Sequence, residues 1–137
     1  MISLAFIFPL TPGKTEEWRS WGEEILGSRR SEYHAFRRRL GLTVQRMYHQ
    51  RTPRGDIAII YLEGDDLQRT FQELRTSQEP FAVWFRQRAK VLLNGLDLTQ
   101  TSPGSLSQLV FNGPDVEEDE DSHHAREVME RLGMISP

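Results

Sequence analysis

Three side chains around a predicted β-hairpin, His49, Tyr48 and Tyr61, are of types that carry out chemistry. His49 lies beside the turn at residues 51–55, and its imidazole titrates near neutral pH, so it could act as a general base or a ligand. The two tyrosines could donate hydrogen bonds to a bound molecule. Each has a plainer interpretation: a polar strand-end residue facing water for His49, and amphipathic wall residues for the tyrosines.

Charged clusters offer two further candidates. The arginines of residues 29–39 could bind an anion or a nucleic acid, but Glu32 lies among them and the net charge is −3. We therefore interpret them as a solvated helix face, with no nucleic-acid partner. His123 and His124 follow an acidic run, residues 115–121. A run of this kind does not preorganise ligands, so we predict no metal site there.

Composition excludes several classes of chemistry. The chain of 137 residues has no cysteine, so disulfides, thiolate metal sites and thiol nucleophiles are excluded. No phosphate loop, GxGxxG turn, nucleophile elbow or HExxH helix is present, and we predict no cofactor. The apolar start, residues 1–10, is about half the length of a transmembrane span and has no basic segment before it. We expect a buried strand there, no membrane partner and a cytoplasmic protein.

The hairpin is expected to position the candidate residues. Two extended runs, residues 44–50 and 57–63, flank the turn sequence RTPRG, and the second is rich in β-branched and aromatic residues. If Gln50 faces Asp56 across the turn, one face carries Gln45, Met47, His49, Ile57, Ile59 and Tyr61. A register slip of one residue would exchange the faces of one strand.

The predicted elements over residues 1–98 follow the order strand, helix, strand, strand, helix, strand. The first strand, residues 2–8, is apolar on both sides and is predicted to be central, and residues 96–98 are predicted to close the sheet. The run 57–63 is likewise predicted to be central, and the half-polar run 44–50 to lie at an edge. The order is that of an α+β fold, the ferredoxin-like βαββαβ arrangement with an antiparallel sheet.

Apolar stripes at helical spacing predict two helices before the hairpin. Gly27 is predicted to break the first helical stretch, with Ser28 capping the next segment. Asp65 and Asp66 precede a further helix, residues 67–75, and are predicted to cap it. The predicted buried stripes are Trp18, Trp21 and Ile25 in the first helix and Tyr33, Phe36 and Leu40 in the second.

A single sheet of this kind has one face covered by its own helices, while the other face, apolar here, needs a partner. A second copy of the same sheet is the simplest cover, so we predict a homodimer through the sheet faces. Residues 1–100 are predicted to form this domain. Residues 101–137 are predicted to form a linker, an acidic segment and a C-terminal arm with a short helix. Residues 106–111 are predicted to form either a short strand or an arm, and residues 115–121 to be disordered or solvated.

The motifs PGKTEEW, RRSEYHAFRRRLG, TPRGD, YLEGDD and LNGLDL carry a resemblance over residues 1–98. This part of the chain resembles dimeric α/β-barrel proteins of the ferredoxin-like class, and a small bacterial family within it. That class includes antibiotic-biosynthesis-type monooxygenases, muconolactone isomerases, haem-degrading monooxygenases and stress-responsive barrel proteins. The resemblance implies the dimeric barrel fold, and it transfers no catalytic residue to this chain.

Two functions follow from these expectations. The first is a small-molecule binding protein, or a cofactor-independent monooxygenase- or isomerase-like enzyme, with an apolar cavity between sheet and helices. Its predicted lining is Met47, His49, Tyr61 and Trp84, with His49 as the catalytic candidate. The alternative is a non-catalytic structural or interaction module. A cavity of roughly several hundred Å³ holding polar groups favours the first, and a filled interior favours the second.

Overall fold

A computed structural model of the chain describes residues 1–114 and 120–135, with side chains in the last helix described from Arg126 onward. The elements in chain order are β1 (Ile2–Pro9), α1 (Thr15–Leu26), α2 (Arg30–Leu40), β2 (Leu42–Thr52), β3 (Gly55–Gly64), α3 (Leu67–Thr76), α4 (Pro80–Leu92), a 3-10 turn (Pro103–Ser105) and α5 (Glu120–Arg131). The protein therefore belongs to the mixed α+β class. Within the described residues, no helix combines the length and the apolar character that crossing a bilayer requires.

The sheet has three antiparallel strands in the order β1-β3-β2, with β3 in the centre. The central place of β3 and the edge place of β2 confirm the predictions from their apolar patterns. The prediction that β1 is central is wrong, because no strand of the described residues pairs with its second edge. Strand β1 is nevertheless apolar on both sides, which matters for the outer face of the sheet.

The predicted closing strand at residues 96–98 is absent. Leu96 and Leu98 are buried against the core, as a strand would place them, but residues 96 and 97 are irregular and the backbone turns at residues 98–99. The cause is Asp97, whose Oδ1 accepts hydrogen bonds from the backbone N–H and the hydroxyl of Thr99, at 2.9 and 2.6 Å. Such a local side-chain bond offers the backbone an alternative to a sheet ladder. The four-stranded βαββαβ order is therefore not established for this chain.

The hairpin register differs by one residue from the prediction. Gln50 pairs with Ile57 rather than facing Asp56, because pairing continues to Thr52 and Gly55 around a two-residue turn. The Thr52 hydroxyl donates to the Gly55 carbonyl oxygen at 2.6 Å and closes that turn. The predicted sharing of faces is consequently wrong, and Tyr61 lies on the sheet face opposite to Met47 and His49.

Helices α1 to α4 cover the face of the sheet that carries the buried side chains of β1 and β3. The predicted stripes are confirmed: the buried residues of α1 and α2 are Trp18, Trp21, Ile25, Tyr33, Phe36 and Leu40. The break at Gly27 is also confirmed, since α1 ends at Leu26 and α2 begins at Arg30. A Cβ at Gly27 would lie 2.8 Å from the Glu23 carbonyl oxygen. The prediction that Ser28 caps the second helix is wrong, because the N-cap residue of α2 is Arg29.

The outer face of the sheet is largely bare in the single chain. Ile7 of β1 is 63% exposed and Tyr48 of β2 is 51% exposed. Residues 106–111, predicted as a short strand or an arm, form no strand. This segment lies beside β1, because the Ser107 hydroxyl donates to the Ala5 carbonyl oxygen. Its last residues, 109–111, have exposed apolar side chains. Residues 115–121 are predicted to be disordered or solvated, and the first five of them, 115–119, lie outside the described residues.

Candidate functional site

The space between the sheet and its helices is nearly filled. It keeps a cavity of about 50 Å³, whose lining is apolar except for Gln45. The Gln45 amide oxygen accepts a hydrogen bond from the Tyr33 hydroxyl at 2.9 Å. Pockets for small organic ligands measure about 300–1,000 Å³. The interior of this chain therefore lacks room for a ligand of that kind, contrary to the predicted cavity.

A larger opening lies on the flank of the domain, where α1 passes the edge strand β2. We call it the α1–β2 groove, and its volume is about 360 Å³. The groove is lined by Trp18, Arg19, Trp21, Gly22, Glu23, Leu26, Met47 and His49. It therefore contains two of the predicted site residues, Met47 and His49.

Aromatic and aliphatic side chains form the wall of the groove. Trp18 and Trp21 are 6% and 3% exposed, and the Trp18 ring meets the His49 ring edge-on, with centroids 5.8 Å apart. Trp21 packs on Phe85 with ring centroids 4.9 Å apart. Trp21 and Met47 also line the interior cavity. These two side chains therefore form the partition between the filled interior and the open groove.

Gly22 lies in the interior of α1, where glycine costs a helix about 1 kcal/mol relative to alanine. A Cβ at this position would meet no atom within 4 Å, and its φ lies outside the left-handed region. Neither close packing nor backbone conformation therefore requires glycine here. What glycine does provide is space, because the missing side chain widens the groove at its helical wall.

A chain of polar contacts runs from the groove residues Arg19 and His49 to Asp56 and Thr15, which line a separate depression. The Arg19 Nη1 atom lies 2.9 Å from His49 Nδ1. A guanidinium can only donate, so Nδ1 accepts and the neutral imidazole carries its proton on Nε2. Nε2 lies 3.5 Å from Asp56 Oδ1, too far for a well-formed hydrogen bond. The other carboxylate oxygen of Asp56 accepts from the Thr15 hydroxyl at 2.6 Å.

Asp56 is held in its ionised form by these neighbours. The hydrogen bond from the Thr15 hydroxyl is the main cause that lowers the pKa of the Asp56 carboxyl below its usual value. Partial desolvation opposes this effect, while His49 and the positive charge of Arg51 add to the lowering. The carboxylate therefore presents a fixed negative charge to the Nε2 side of His49.

The groove residues also carry buried polar atoms without hydrogen-bond partners among the described residues. They are the indole nitrogens of Trp18 and Trp21 and the Nε2 of His49, which has only the long contact with Asp56. Buried polar groups in folded proteins are normally paired. Each of these atoms is inaccessible to solvent in the described structure, so it lies within the wall of the groove and not at its open surface.

The remaining sequence candidates lie elsewhere. Trp84 packs against Trp21 with centroids 6.4 Å apart, carries the Arg29 guanidinium 4.0 Å from its ring centre, and does not line the groove. Tyr61 lies on the outer face of the sheet. The structure thus brings together Met47 and His49 and separates both from Tyr61.

Sequence reasoning missed Arg19, Gly22 and Asp56. The available signal was Gly22, a glycine within a confident helical pattern. Its spacing of three residues from Arg19 predicts that the two lie on the same side of α1. Asp56 was placed in the turn region, and only the observed register brings it to His49.

The charged clusters do not form metal sites within the described residues. No group of three or more His, Asp or Glu side chains there is arranged to hold a metal ion. The weak candidate at His123 and His124 lies outside the described side chains. On α2, arginines make separate contacts, such as that of Arg39 with Glu73 at 4.0 Å.

Compared with protein-family models, with curated proteins and with solved structures, the chain matches none of them. The site must therefore be interpreted from its own residues.

Proposed function

We propose that this chain binds a small apolar or aromatic molecule in the α1–β2 groove. The observation that carries the proposal is the opening of about 360 Å³ beside Gly22, a helix-interior glycine that no packing contact requires. Two tryptophans and Met47 supply apolar surface, and Arg19 and His49 supply a polar end. A few oriented polar groups on an apolar wall are typical of small-molecule sites.

The test is a two-dimensional 1H–15N NMR titration with 2-naphthamide, a flat neutral probe that carries no charge. Binding in the groove should shift the indole N–H signals of Trp18 and Trp21 more than the signal of Trp84. The matched variants are Gly22→Leu, which places an aliphatic side chain in the groove, and Gln87→Leu, which places the same side chain on an exposed position of α4.

We expect Gly22→Leu to weaken binding at least tenfold and Gln87→Leu to leave it unchanged, because only the first side chain occupies the groove. Both variants should keep the native spectrum outside the mutated helix, since Gly22 faces open space. Equal binding by Gly22→Leu and the unchanged chain would contradict the proposal. So would shifts confined to residues on the outer face of the sheet.

A second candidate is a non-catalytic assembly module, a ferredoxin-like variant without its fourth strand that dimerises through the outer sheet face. The filled interior favours it, as does the exposure of Ile7 and Tyr48 on that face. Apolar side chains in a contiguous exposed patch commonly mark an interaction surface. This function and ligand binding use different surfaces, so one chain can carry both.

Charge on the outer face fits a two-fold contact between identical copies. Arg46 of β2 and Glu63 of β3 both lie on this face, and neither has an ion-pair partner among the described residues. In a two-fold interface each contact occurs twice, so Arg46 of each copy would meet Glu63 of the other. The face is therefore self-complementary in charge as well as apolar.

Sedimentation velocity tests this assembly. The unchanged chain should sediment as a dimer at micromolar concentration, and Ile7→Lys should yield a folded monomer, because Ile7 is exposed in the single chain. Arg46→Glu should weaken the dimer and Arg46→Glu with Glu63→Arg should restore it. A monomer for the unchanged chain would contradict the assembly proposal and leave the groove proposal intact.

A further inference from the structure

We propose that the α1–β2 groove selects organic anions, namely an aromatic or apolar molecule with one carboxylate, and that this carboxylate takes Arg19 away from His49. The inference rests on the proposed binding function and names the class of ligand.

Arg19 is the group that points to an anion. Its side chain is exposed, and its one polar contact among the described residues is with the neutral His49 Nδ1, at 2.9 Å. It forms no ion pair there. A carboxylate is a much better acceptor for a guanidinium, since the bond is charge-assisted and can be bidentate. A ligand carboxylate in the groove would therefore compete successfully with the imidazole nitrogen.

The carboxylate of Glu23 opposes the binding of an anion in the groove. Glu23 lies four residues after Arg19 in α1 and lines the same groove, yet the two do not form an ion pair in the described structure. Its carboxylate repels a bound anion. The other charged groups near His49 are Asp56 on the Nε2 side and Arg51, which acts on Asp56. Removal of the Glu23 charge should therefore strengthen anion binding.

Movement of Arg19 from His49 to the ligand carboxylate would free the Nδ1 atom of His49. While Arg19 donates to Nδ1, the lone pair of that nitrogen is occupied. Once Arg19 moves to the ligand, the lone pair faces the bound molecule, and Asp56 remains behind the Nε2 proton. A carboxylate behind one imidazole nitrogen and a free lone pair on the other is the arrangement of a general base.

The test compares 2-naphthoate with its neutral isostere 2-naphthamide by isothermal titration calorimetry at pH 7.5. We expect naphthoate to bind about tenfold more tightly, which is the size of a net bond to a charged group. Arg19→Gln should remove this preference, so that the variant binds naphthoate and naphthamide with equal affinity. Glu23→Gln should increase the preference.

The matched control is Arg30→Gln. Arg30 is also exposed, and it also contacts a histidine, with its Nε 3.4 Å from His34 Nε2, but it lies outside the groove. This variant should keep the full preference for naphthoate. A 15N NMR spectrum of the imidazoles gives a second measurement. The His49 Nδ1 resonance should move towards that of an unbonded imidazole nitrogen with naphthoate and stay in place with naphthamide.

The outcomes separate the two proposals. Equal binding of both probes would overturn the anion inference and leave the binding function standing, whereas binding of neither would overturn both. A preference for naphthoate that survives Arg19→Gln, or an unmoved His49 Nδ1 resonance, would also overturn the anion inference.

Discussion

The interior cavity and the α1–β2 groove share two wall residues, Trp21 and Met47, and differ in nearly everything else. One measures about 50 Å³ and the other about 360 Å³. In the interior, long apolar side chains from the sheet and from four helices meet and fill the space. At the flank, α1 carries Gly22 where a side chain would fit, and the opening persists. The groove therefore has room for a ligand beside Gly22, whereas the interior has none.

The interior cavity and the groove also differ in how their polar side chains are paired. The one polar side chain of the interior cavity, Gln45, is paired with the Tyr33 hydroxyl. In the groove, by contrast, Arg19 and Glu23 are exposed and form no ion pair among the described residues. A packed region pairs its polar groups within the chain, whereas the open groove leaves charged groups accessible to a ligand. Three substitutions test this contrast.

Phe36→Ala tests the filled interior. Phe36 is fully buried, and its ring centroid lies 5.1 Å from that of Phe81 and 5.2 Å from that of Phe85. Its removal should lower the free energy of unfolding by about 3–5 kcal/mol, since a cavity replaces close contacts. Urea denaturation measures this change. Leu26→Ala on the groove rim, 61% exposed, is the control and should cost about 0.5 kcal/mol or less. Similar losses of stability in both variants would contradict the contrast between the filled interior and the open groove.

Gly22→Ala tests the open groove. The added methyl group meets no neighbour within 4 Å, while alanine favours the helix. We expect the free energy of unfolding to rise by about 0.8–1 kcal/mol. The comparison is with Gly27→Ala, whose Cβ would approach the Glu23 carbonyl oxygen to 2.8 Å and should destabilise the fold. A loss of stability in Gly22→Ala would mean that the glycine serves the fold rather than the groove.

Thr15→Val tests the polar contacts behind His49. It removes the main cause of the lowered pKa of Asp56, so this pKa should rise towards its usual value, as 13C NMR of the carboxyl can measure. A lowered pKa in the folded state stabilises the fold above the unfolded pKa, and this stabilisation is lost as pH falls through the folded pKa. Stability of the variant should therefore depend less on acidic pH. An unchanged carboxyl titration would exclude the Thr15 hydroxyl as the cause.

Much of the fold could be predicted from local patterns. The stripes of α1 and α2, the hairpin and the cap by Asp66 depend on residue spacing and on short-range bonds, which the sequence displays directly. The prediction of a closing strand at residues 96–98 was wrong because the Asp97 side chain accepts a hydrogen bond from the nearby backbone N–H of Thr99. The predicted hairpin register was wrong by one residue because the turn is shorter than its loop-like sequence indicates.

The site was less predictable than the fold. Met47 and His49 share a face because they alternate on one strand, which the sequence pattern indicates, and Tyr61 was grouped with them only through the wrong register. Whether a region between packed elements is open or filled depends on side chains that meet from distant parts of the chain. Gly22 opens the groove because no residue of another element fills its position. No local pattern contains that information.

The most direct test of the account is the location of a bound probe. A crystal of the chain soaked with 6-bromo-2-naphthoate gives an anomalous signal from the bromine atom, which marks the position of the ligand independently of any interpretation of its density. We predict one dominant peak in the α1–β2 groove, beside Gly22 and Trp18, with the carboxylate at Arg19. A dominant peak between the sheet and the helices, or on the outer sheet face, would contradict the account.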